Sequence, residues 1–233
     1  MPPEGAKWEF DEQVTACFDD MLSRSIPGYE TMRSLVTSIG ARYVRQATEI
    51  VDIGCSNGNA VAPFVSRFGA QNTYKLFDVS EPMLAKCRER FAGLMDAGVV
   101  SVESWDLRTG LPSGMMASLV LSVLTVQFTP IEFRKRILQE IYRGIVPGGA
   151  LIFVEKVLGE TADLDAMLVS EYYALKRGNL YTEEQISSKR KSLEGVLVPI
   201  TAAWNEDMLK TAGFRQVECF WRYLNFAGWV AIK

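Results

Sequence analysis

A glycine-containing turn lies between a short apolar segment and a helical segment in the run EIVDIGCSNGNA, Glu49–Ala60. Glycines in a turn that joins a strand to a helix let the backbone approach a bound ligand closely. Ser56 stands where a dinucleotide-binding turn has its second glycine, which favours a ligand without a pyrophosphate. By itself the run is also compatible with an ordinary tight turn. The candidate cofactor-binding residues of this run are Asp52, Gly54, Cys55, Ser56 and Gly58.

Two acidic residues follow the next two predicted strands. Asp78 lies 24 residues after Gly54, near the spacing of about 20 that separates a ligand-binding turn from an acid that binds ribose hydroxyls. Asp106 follows the third strand and precedes Leu107. Each acid alone could be a helix cap or a solvated strand end. Because the carboxyl ends of parallel strands meet at one edge of a sheet, the two acids together predict a nucleoside-binding site there.

Short aliphatic and β-branched segments alternate with helical segments over much of the chain, which is typical of a parallel sheet. We predict a doubly wound, mostly parallel α/β sheet of seven strands. The predicted strands are Glu49–Gly54, Tyr74–Val79, Val99–Ser104, Ser118–Leu124, Ala150–Val154, Gln216–Trp221 and Phe226–Ile232. About four residues separate the last two strands, too few for a crossover helix, so the last strand should be antiparallel.

Two predicted helices, Glu81–Ala97 and Ile131–Ile145, have apolar residues spaced to cover one face. Pro147-Gly148-Gly149 should end the second helix and turn the chain into the next strand. Residues 1–45 are predicted to form a helical lead-in. Residues 157–205 have helical spacing and no linker composition, which predicts a packed helical lid. With 233 residues and 48% hydrophobic composition, the chain fits one domain over residues 1–233.

The composition argues against several kinds of chemistry and partner. The chain has no histidine, which removes Ser-His and Cys-His nucleophiles and the commonest metal ligand. Its four cysteines form no Cys-x-x-Cys pair, so we expect no metal site, no disulfide framework and a reducing, cytoplasmic location. A net charge of −3 gives no field for direct nucleic-acid binding. No apolar run is long enough to predict a membrane span.

The ligand predicted for the nucleoside site is S-adenosylmethionine rather than a nicotinamide dinucleotide. S-adenosylmethionine carries no phosphate, which suits Ser56 in the turn. The predicted antiparallel last strand also resembles class I methyltransferases, whose fold is Rossmann-like. A Rossmann dehydrogenase is the alternative.

Several longer stretches carry a more specific resemblance. They are WEFDEQV (Trp8–Val14), RSIPGY (Arg24–Tyr29), VDIGCSNG (Val51–Gly58), PGGALIFVEK (Pro147–Lys156), KRGNLY (Lys176–Tyr181), ISSKRKSLEGV (Ile186–Val196) and YLNFAGWVAIK (Tyr223–Lys233). Over nearly its whole length the chain resembles the carboxy-S-adenosylmethionine synthases, which make a carboxylated cofactor for modification of the tRNA wobble uridine. The resemblance implies S-adenosylmethionine or its carboxylated derivative as cofactor, prephenate as a small-molecule substrate, and a homodimer.

The resemblance also implies roles for individual residues at the predicted cofactor site. Tyr29 and the backbone of Gly54-Cys55-Ser56 would contact the methionine part of the cofactor. Asp78 would bind the ribose, and Asp106 with Leu107 would contact the adenine.

Arg190 would pair with the carboxylate that is added to the cofactor, from its own subunit or from the neighbouring one. A guanidinium offers a planar fork of donors that suits a carboxylate, which lysine does not reproduce. Tyr29 and Arg190 are therefore the candidate catalytic residues. The alternative for Arg190 is a solvated position, since Lys189–Lys191 is a basic run.

The chain departs from the family pattern at four positions. Val79 and Val123 stand where the family has asparagines near the cofactor, and Tyr172 and Tyr173 stand where it has two histidines. Each lost amide removes about 0.5 to 1.5 kcal/mol of hydrogen bonding, so an altered pocket is expected. Two other functions stay open: methyl transfer to a small molecule or a nucleic-acid base, and a catalytically inactive cofactor-binding subunit.

Overall fold

A mostly parallel sheet runs through residues 7–233, which are the residues that the computed structural model describes. Its strands are β1 (Glu49–Ile53), β2 (Thr73–Asp78), β3 (Val100–Ser104), β4 (Ala117–Val123), β5 (Ile145–Leu158), β6 (Ile200–Thr201), β7 (Gln216–Tyr223) and β8 (Phe226–Ile232). They lie in the order β3-β2-β1-β4-β5-β8-β7, with the short β6 paired to the end of β5. β1 to β5 are parallel, whereas β8 is antiparallel to both neighbours. The seven predicted strands and the antiparallel last strand are confirmed, and β6 is an addition.

Helices cover both faces of the sheet. In the described residues they are α1 (Glu12–Ala16), α2 (Phe18–Ser25), α3 (Tyr29–Gly40), α4 (Ala62–Phe68), α5 (Glu81–Asp96), α6 (Ile131–Gly144), α7 (Ala162–Gly178), α8 (Glu183–Leu193) and α9 (Ala202–Ala212). The core of one face contains residues of α3, α4 and α5, and the core of the other contains residues of α6 and α9. This is the doubly wound α/β arrangement that the sequence predicted.

Side-chain caps fix the starts of the helices that border the carboxyl edge of the sheet. The Asp11 carboxylate accepts the Val14 N–H at the start of α1. Ser80 caps α5 directly after β2. Thr182 and Gln185 form a reciprocal capping box at the start of α8. Each cap satisfies backbone donors that a helix leaves unpaired at its first turn.

The segment Pro147-Gly148-Gly149 is placed differently from the prediction. α6 ends at Gly144 and β5 already begins at Ile145, before the proline. The pairing of β5 with β4 shifts register across this segment, and a Cβ on Gly149 would lie 2.7 Å from the Ser118 carbonyl oxygen. The proline and glycines therefore form an irregularity inside β5, where two strands approach closely, rather than a turn before the strand.

The far end of β5 also extends past its predicted limit. β5 runs to Leu158, because the Val157 N–H donates to the Asn225 carbonyl at 2.9 Å and β6 pairs with the last residues of the strand. Its last residues therefore fall within 157–205, the predicted insertion, and α9 begins at Ala202, also inside that range. The helical character predicted for this segment is confirmed by α7 and α8.

The helical N-terminal segment and the insertion meet above the carboxyl edge of the sheet. α1 to α3 confirm the helical lead-in for the described part of residues 1–45, whereas residues 1–6 lie outside the described residues. The Trp8 N–H donates to the Ser192 carbonyl of α8 at 2.9 Å. Trp8 and Phe18 are buried together with Met83, and Leu193 packs against them. Two segments far apart in sequence thus share a small core of their own.

Gly40 at the end of α3 lets this helix lie close to α4. A Cβ at Gly40 would be 2.9 Å from Cζ of the buried Phe64, so we expect Gly40→Ala to destabilise the protein by about 1 to 2 kcal/mol through overpacking. Gly93 of α5 is the matched control, because a Cβ there meets nothing within 4 Å. Gly93→Ala should stabilise by about 0.5 to 1 kcal/mol through helix propensity. Urea denaturation measures both, and equal effects would contradict the close packing.

Candidate active site

The turn after β1 is packed tightly against the neighbouring elements of the sheet. The Gly54 N–H donates to the Phe77 carbonyl of β2 at 2.7 Å. Gly54 has φ of 70°, and a Cβ built on it would overlap the Thr125 side chain. Gly58 has φ of 79°, and a Cβ there would lie 2.5 Å from the Phe91 ring. Both positions therefore require glycine for the packing of the protein itself, in addition to any close approach of a ligand.

The Asp78 carboxylate ties this turn to the end of β2. The Ser56 N–H donates to Oδ2 and the Ser80 N–H donates to Oδ1, each at 2.9 Å. Burial raises the pKa of Asp78, and these hydrogen bonds oppose the rise. Each carboxylate oxygen keeps a further acceptor position. Asp78 could therefore accept further donors such as ribose hydroxyls, and its ribose role stays a prediction.

Asp52 is a buried carboxylate in β1. It is 1% exposed, and neither of its oxygens has a hydrogen-bond partner among the described residues. Burial raises its pKa to about 8, Arg33 acts in the opposite direction, and Asp78 raises it further. A buried carboxylate without a donor is costly. The ammonium of a methionine moiety in the adjoining cleft would supply that donor, so Asp52 fits S-adenosylmethionine as a ligand.

Tyr29 and Arg33 face the cleft from successive turns of α3. Gly28 starts this helix with φ of 59°. The Arg33 guanidinium donates to the Asn59 carbonyl at 2.5 Å and lies 5.9 Å from the centroid of the Tyr29 ring. Burial raises the pKa of Tyr29, and Arg33 lowers it. Tyr29 therefore presents a neutral hydroxyl at neutral pH.

A buried polar network holds the turn after β4 against the glycine turn. Glu155 accepts the Val126 N–H at 3.0 Å, and Gln127 Oε1 accepts the Lys156 N–H at 2.7 Å. The Arg134 guanidinium donates to the Gln127 carbonyl at 3.1 Å. Burial raises the pKa of Glu155 to about 8, and Arg134 acts in the opposite direction. This network fixes one wall of the cleft in a single position.

The cleft has two adjoining lobes at the carboxyl edge of the sheet. The outer lobe, a cavity of about 510 Å³, is lined by Asp78, Val79, Asp106 and Leu107 among others. The inner lobe, a cavity of about 150 Å³, is lined by Tyr29, Cys55, Val123, Lys156 and Phe226 among others. Both lobes are lined by Phe10, Gly54, Ser56, Leu124 and Phe128. The glycine turn thus lies at the junction of a nucleoside-sized lobe and a smaller, aromatic one.

Asp106 forms the rim of the outer lobe. Its carboxylate accepts the Arg108 N–H at 2.8 Å and lies 2.7 Å from the Arg108 guanidinium, and this pairing lowers its pKa. Asp106 also caps a short 3₁₀ turn that buries Leu107. Val79, at the same rim, is 64% exposed. Asp106 therefore caps a turn, which agrees with the alternative of a capping role, and it also lines the outer lobe of the cleft.

Three lysines lie beside the inner lobe: Lys156 on β5, Lys176 on α7 and Lys189 on α8. The Nζ atoms of Lys156 and Lys176 are 5.0 and 5.3 Å from the centroid of the Tyr172 ring. The Nζ atom of Lys189 is 5.0 Å from the centroid of the Trp8 ring. Burial, followed by the neighbouring lysines, lowers the pKa of Lys176 to about 8 and that of Lys189 to about 7. We call these three residues the lysine cluster.

Three predicted site residues line neither lobe: Asp52 and Gly58, which flank the glycine turn, and Arg190, which the fold does not bring to the cleft of its own chain. Arg190 is exposed on α8. Lys189, one position earlier, lines the inner lobe. Ile186 is buried and lies three residues before Lys189, on the same helix face. This spacing is a sequence signal that could have singled out Lys189, and the role of Arg190 stays a prediction.

Metal-ligand clusters and membrane-spanning helices are both missing from the part of the chain that the structure describes. No group of three or more His, Cys, Asp or Glu side chains is arranged to hold a metal ion in residues 7–233. In the same range no helix combines the length and the apolar character that a bilayer crossing needs.

Comparison with known proteins gives two consistent results at the level of sequence. Residues 50–149 match the family model described as a methyltransferase domain. The carboxy-S-adenosyl-L-methionine synthase of Methylococcus capsulatus is 40% identical over 225 residues, 96% of this chain and 93% of that protein. The enzyme of the same name from Wolinella succinogenes is 37% identical over 97% of this chain and 94% of that protein.

Solved structures with a similar backbone include methyltransferases. A phosphoethanolamine N-methyltransferase of Haemonchus contortus in complex with S-adenosyl-L-methionine matches with a TM-score of 0.67 at 15% identity, over 96% of this chain and 57% of that one. An O-methyltransferase family protein of Burkholderia thailandensis matches with a TM-score of 0.65 at 16% identity, over 96% of this chain and 60% of that one. The chain thus spans less than two thirds of the length of these structures, and the likeness shows the fold.

The sheet order, the antiparallel β8 and the glycine turn define a class I S-adenosylmethionine-dependent enzyme. S-adenosylmethionine is its cofactor, as the cleft, the methyltransferase-domain match and the curated relatives agree. Within this class the chain belongs to the carboxy-S-adenosyl-L-methionine synthase family, as full-length relatives at 34–40% identity show.

The Asp78→Ala variant tests two things at once: the predicted binding of the ribose by Asp78 and its hydrogen bond to the glycine turn. The variant loses a charged acceptor for the ligand and for the Ser56 N–H, so affinity for S-adenosylmethionine should fall by roughly ten- to a hundredfold. Titration calorimetry measures the loss. Asp96→Ala, which changes an exposed acid at the end of α5, should bind as the wild type does. Unchanged affinity in Asp78→Ala would remove this residue from the site.

Asp52→Asn tests the unpartnered carboxylate through its effect on stability. Its folded-state pKa of about 8 lies above the unfolded value, so the stability that its protonated form contributes at low pH is lost as the pH rises towards 8. The ligand-free variant should therefore be more stable than wild type at pH 8 by roughly 1 kcal/mol or more, and this gain should shrink as the pH falls towards 4. Urea denaturation across this pH range measures it. Asp207→Asn, on the exposed side of α9, should follow the wild-type profile, and a pH-independent difference for Asp52→Asn would contradict the raised pKa.

Proposed function

We propose that this protein makes carboxy-S-adenosylmethionine from S-adenosylmethionine and prephenate, the reaction that its family resemblance implies. The observation that carries the proposal is the inner lobe, a second cavity with aromatic walls directly beyond the cofactor turn. Prephenate would lose carbon dioxide and its ring hydroxide as the ring becomes aromatic. The methyl carbon of bound S-adenosylmethionine, acidified by the sulfonium, would give a proton to that hydroxide and bond to the carbon dioxide, which leaves water and phenylpyruvate as the other products. Methyl transfer to a large acceptor needs an open approach to that carbon, whereas carboxylation needs a closed chamber.

The residues around the inner lobe suit positioning and exclusion of water. Phe10, Phe18 and Phe128 lie edge to face above the cleft, with ring centroids 5.3 to 6.3 Å apart. Tyr29 and Phe226 contribute aromatic walls. Released carbon dioxide is small and apolar, so a dry aromatic chamber keeps it beside the acceptor carbon instead of letting it escape to solvent. Catalysis of this kind needs no histidine, which is consistent with the composition.

We further propose that the enzyme is a homodimer in which Arg190 reaches the cleft of the neighbouring subunit and pairs with the added carboxylate. Arg190 is exposed and far enough from its own cleft to line neither lobe. The neighbouring helix α7 exposes Leu164 and Met167, at 47% and 52%. Exposed apolar side chains on a surface helix suit burial against a second copy of the chain.

The biological setting that this proposal implies is supply of the carboxylated cofactor for tRNA wobble-uridine modification in the cytoplasm. Four free cysteines suit a reducing compartment. The net charge of −3 favours a role in making the cofactor rather than in binding the tRNA directly.

Plain methyl transfer is the second candidate, and Val79 and Val123 are the observation in its favour. Val123 lines the inner lobe and Val79 lines the outer one, so both lost amides fall at the cleft and leave fewer donors for a polar co-substrate. The third possibility, an inactive cofactor-binding subunit, rests on the same two positions.

Mass spectrometry of the reaction mixture separates these functions. Purified protein incubated with S-adenosylmethionine and prephenate should accumulate the carboxylated cofactor, and omission of prephenate should abolish it. The nucleoside carried through purification should be the carboxylated form. Turnover to S-adenosylhomocysteine with an added acceptor would instead indicate methyl transfer, and no product with any nucleoside would indicate an inactive subunit.

Arg190→Leu tests the proposed carboxylate contact across the dimer. The variant should lose its preference for the carboxylated cofactor over S-adenosylmethionine by about 2 kcal/mol, since a charge-assisted pair is lost, with little change in binding of S-adenosylmethionine itself. Lys191→Leu, on the same exposed part of α8, is the control and should keep the preference. Competition titrations measure it, and an Arg190→Leu variant that keeps the preference would refute this contact.

A further inference from the structure

The charge around the inner lobe has one sign. The ionisable basic and acidic side chains that line it in residues 7–233 are Arg33, Lys156 and Lys189, and no Asp or Glu is among the lining residues. This contrasts with the whole chain, which has a net charge of −3. A mostly apolar cavity with cationic side chains attracts an anion, because the lower local dielectric strengthens the interaction.

The lysine cluster has little compensation from the protein. None of its three ammonium groups lies within 4.0 Å of a carboxylate in the described residues, where the ion pairs involve other lysines and arginines. One polar contact is present, a long hydrogen bond of 3.4 Å from Lys189 Nζ to Ser25 Oγ. Lys176 is 4% exposed and sits between two rings, 5.3 Å from the centroid of Tyr172 and 5.0 Å from that of Tyr181. Lys156 and Lys189 are half-buried, and lysines withdrawn from water without acidic partners are rare and costly in a finished fold.

The three lysines are linked to one another through the residues between them. Lys156 and Lys176 face the same Tyr172 ring. Tyr181, which faces Lys176, hydrogen-bonds Ser25 at 3.0 Å, and Ser25 accepts from Lys189. Lys156 and Lys189 line the inner lobe, whereas Lys176 lies behind Tyr172. The cluster therefore presents two ammonium groups to the cavity and holds a third charge behind them.

We propose that Lys156 and Lys189, supported by Lys176, form a subsite that binds a carboxylate in the inner lobe. This inference rests on the proposed function and deepens it, since it names residues that would hold an organic acid next to the cofactor turn. The aromatic walls fit a ring, and the ammonium groups fit the carboxylate that the ring carries. The carboxylate could belong to the co-substrate or to the carboxylated cofactor, and the two sources are separated below.

Binding of an anion at this subsite should be coupled to uptake of protons. Lys176 and Lys189 have pKa values of about 8 and about 7, so at pH 8 part of the cluster is neutral before the anion arrives. A bound carboxylate favours the charged ammonium and raises these pKa values. The other titratable or charged groups that face the cluster are Cys17, Arg24, Asp165, Tyr172, Tyr173 and Tyr181. Of these, Asp165 favours the charged form of Lys156 and Cys17 that of Lys189.

The test measures binding in a complex that cannot turn over. Protein saturated with S-adenosylhomocysteine is titrated calorimetrically with prephenate, and separately with phthalate as a stable ring dicarboxylate, at pH 8 in two buffers of different ionisation enthalpy. Wild type should bind both acids with net proton uptake. Lys156→Met, Lys176→Met and Lys189→Met should each bind them about tenfold more weakly or worse, with less proton uptake. Affinity for S-adenosylhomocysteine should stay within about twofold of wild type.

Stability separates a ligand-binding role from a structural one. Removing a buried, unpartnered ammonium should leave the melting temperature of the ligand-free protein unchanged or higher. Lys191→Met is the matched control, exposed on the same helix as Lys189, and should behave as the wild type in every titration. Variants of the cluster that melt lower but bind both acids and the carboxylated cofactor with wild-type affinity and proton uptake would overturn the proposal.

The two sources of the carboxylate give different patterns. If the cluster variants have reduced affinity for prephenate and phthalate, the carboxylate in the subsite is that of the co-substrate. If they bind both acids as the wild type does but bind the carboxylated cofactor more weakly, the carboxylate is that of the product. If wild type binds acids through the cluster but forms no carboxylated cofactor, the proposed function fails and the subsite stands. If wild type forms that product and the cluster variants keep the wild-type KM for prephenate and affinity for the product, the subsite fails and the proposed function stands.

Discussion

The hydrogen bond from the Ser56 N–H to the Asp78 carboxylate joins the turn after β1 to the end of β2, and the whole cleft depends on this junction. On the opposite side, Thr125 fills the space that a side chain at Gly54 would need, and the turn that carries it is fixed by Glu155 and its neighbours. The glycine turn is therefore clamped from both of its neighbouring strands. Its shape is set before any ligand arrives, which reduces the ordering cost of binding.

Acidic and basic groups without protein partners lie on different sides of the cleft. Within residues 7–233, Asp52 in β1 has no hydrogen-bond donor, and the lysine cluster beside the inner lobe has no carboxylate within 4.0 Å. In a protein interior both arrangements are unfavourable unless a ligand completes them. A cationic sulfonium ligand and an anionic acid bound side by side would neutralise both. Ligand binding thus gains free energy by giving these groups partners, and the same groups lower the stability of the protein when no ligand is bound.

Local pattern was enough to predict the strands, the glycine turn and the acids at the strand ends. Aliphatic runs and turn glycines act over a few residues, so Gly54 and Asp78 could be placed from sequence alone. The bulge at Pro147-Gly148-Gly149 could not, because it depends on the register of the neighbouring strand. The lysine cluster could not either, since Lys156 and Lys176 come from separate elements and only the packing brings them to the same Tyr172 ring. The guanidinium of Arg190 led to the prediction of a carboxylate contact, but the face of α8 that turns towards the inner lobe carries Lys189 instead.

The hydrogen bond between Trp8 and Ser192 joins two segments that both overlie the cleft. Because Trp8 and Leu193 also line the inner lobe, this small shared core is a wall of that cavity as well as a packing contact. The same few side chains therefore carry two tasks, since they hold the N-terminal segment to α8 and they shape the surface that a ligand meets. A substitution in this small core changes the fit of a ligand and the stability of the protein together, and neither property can vary without the other.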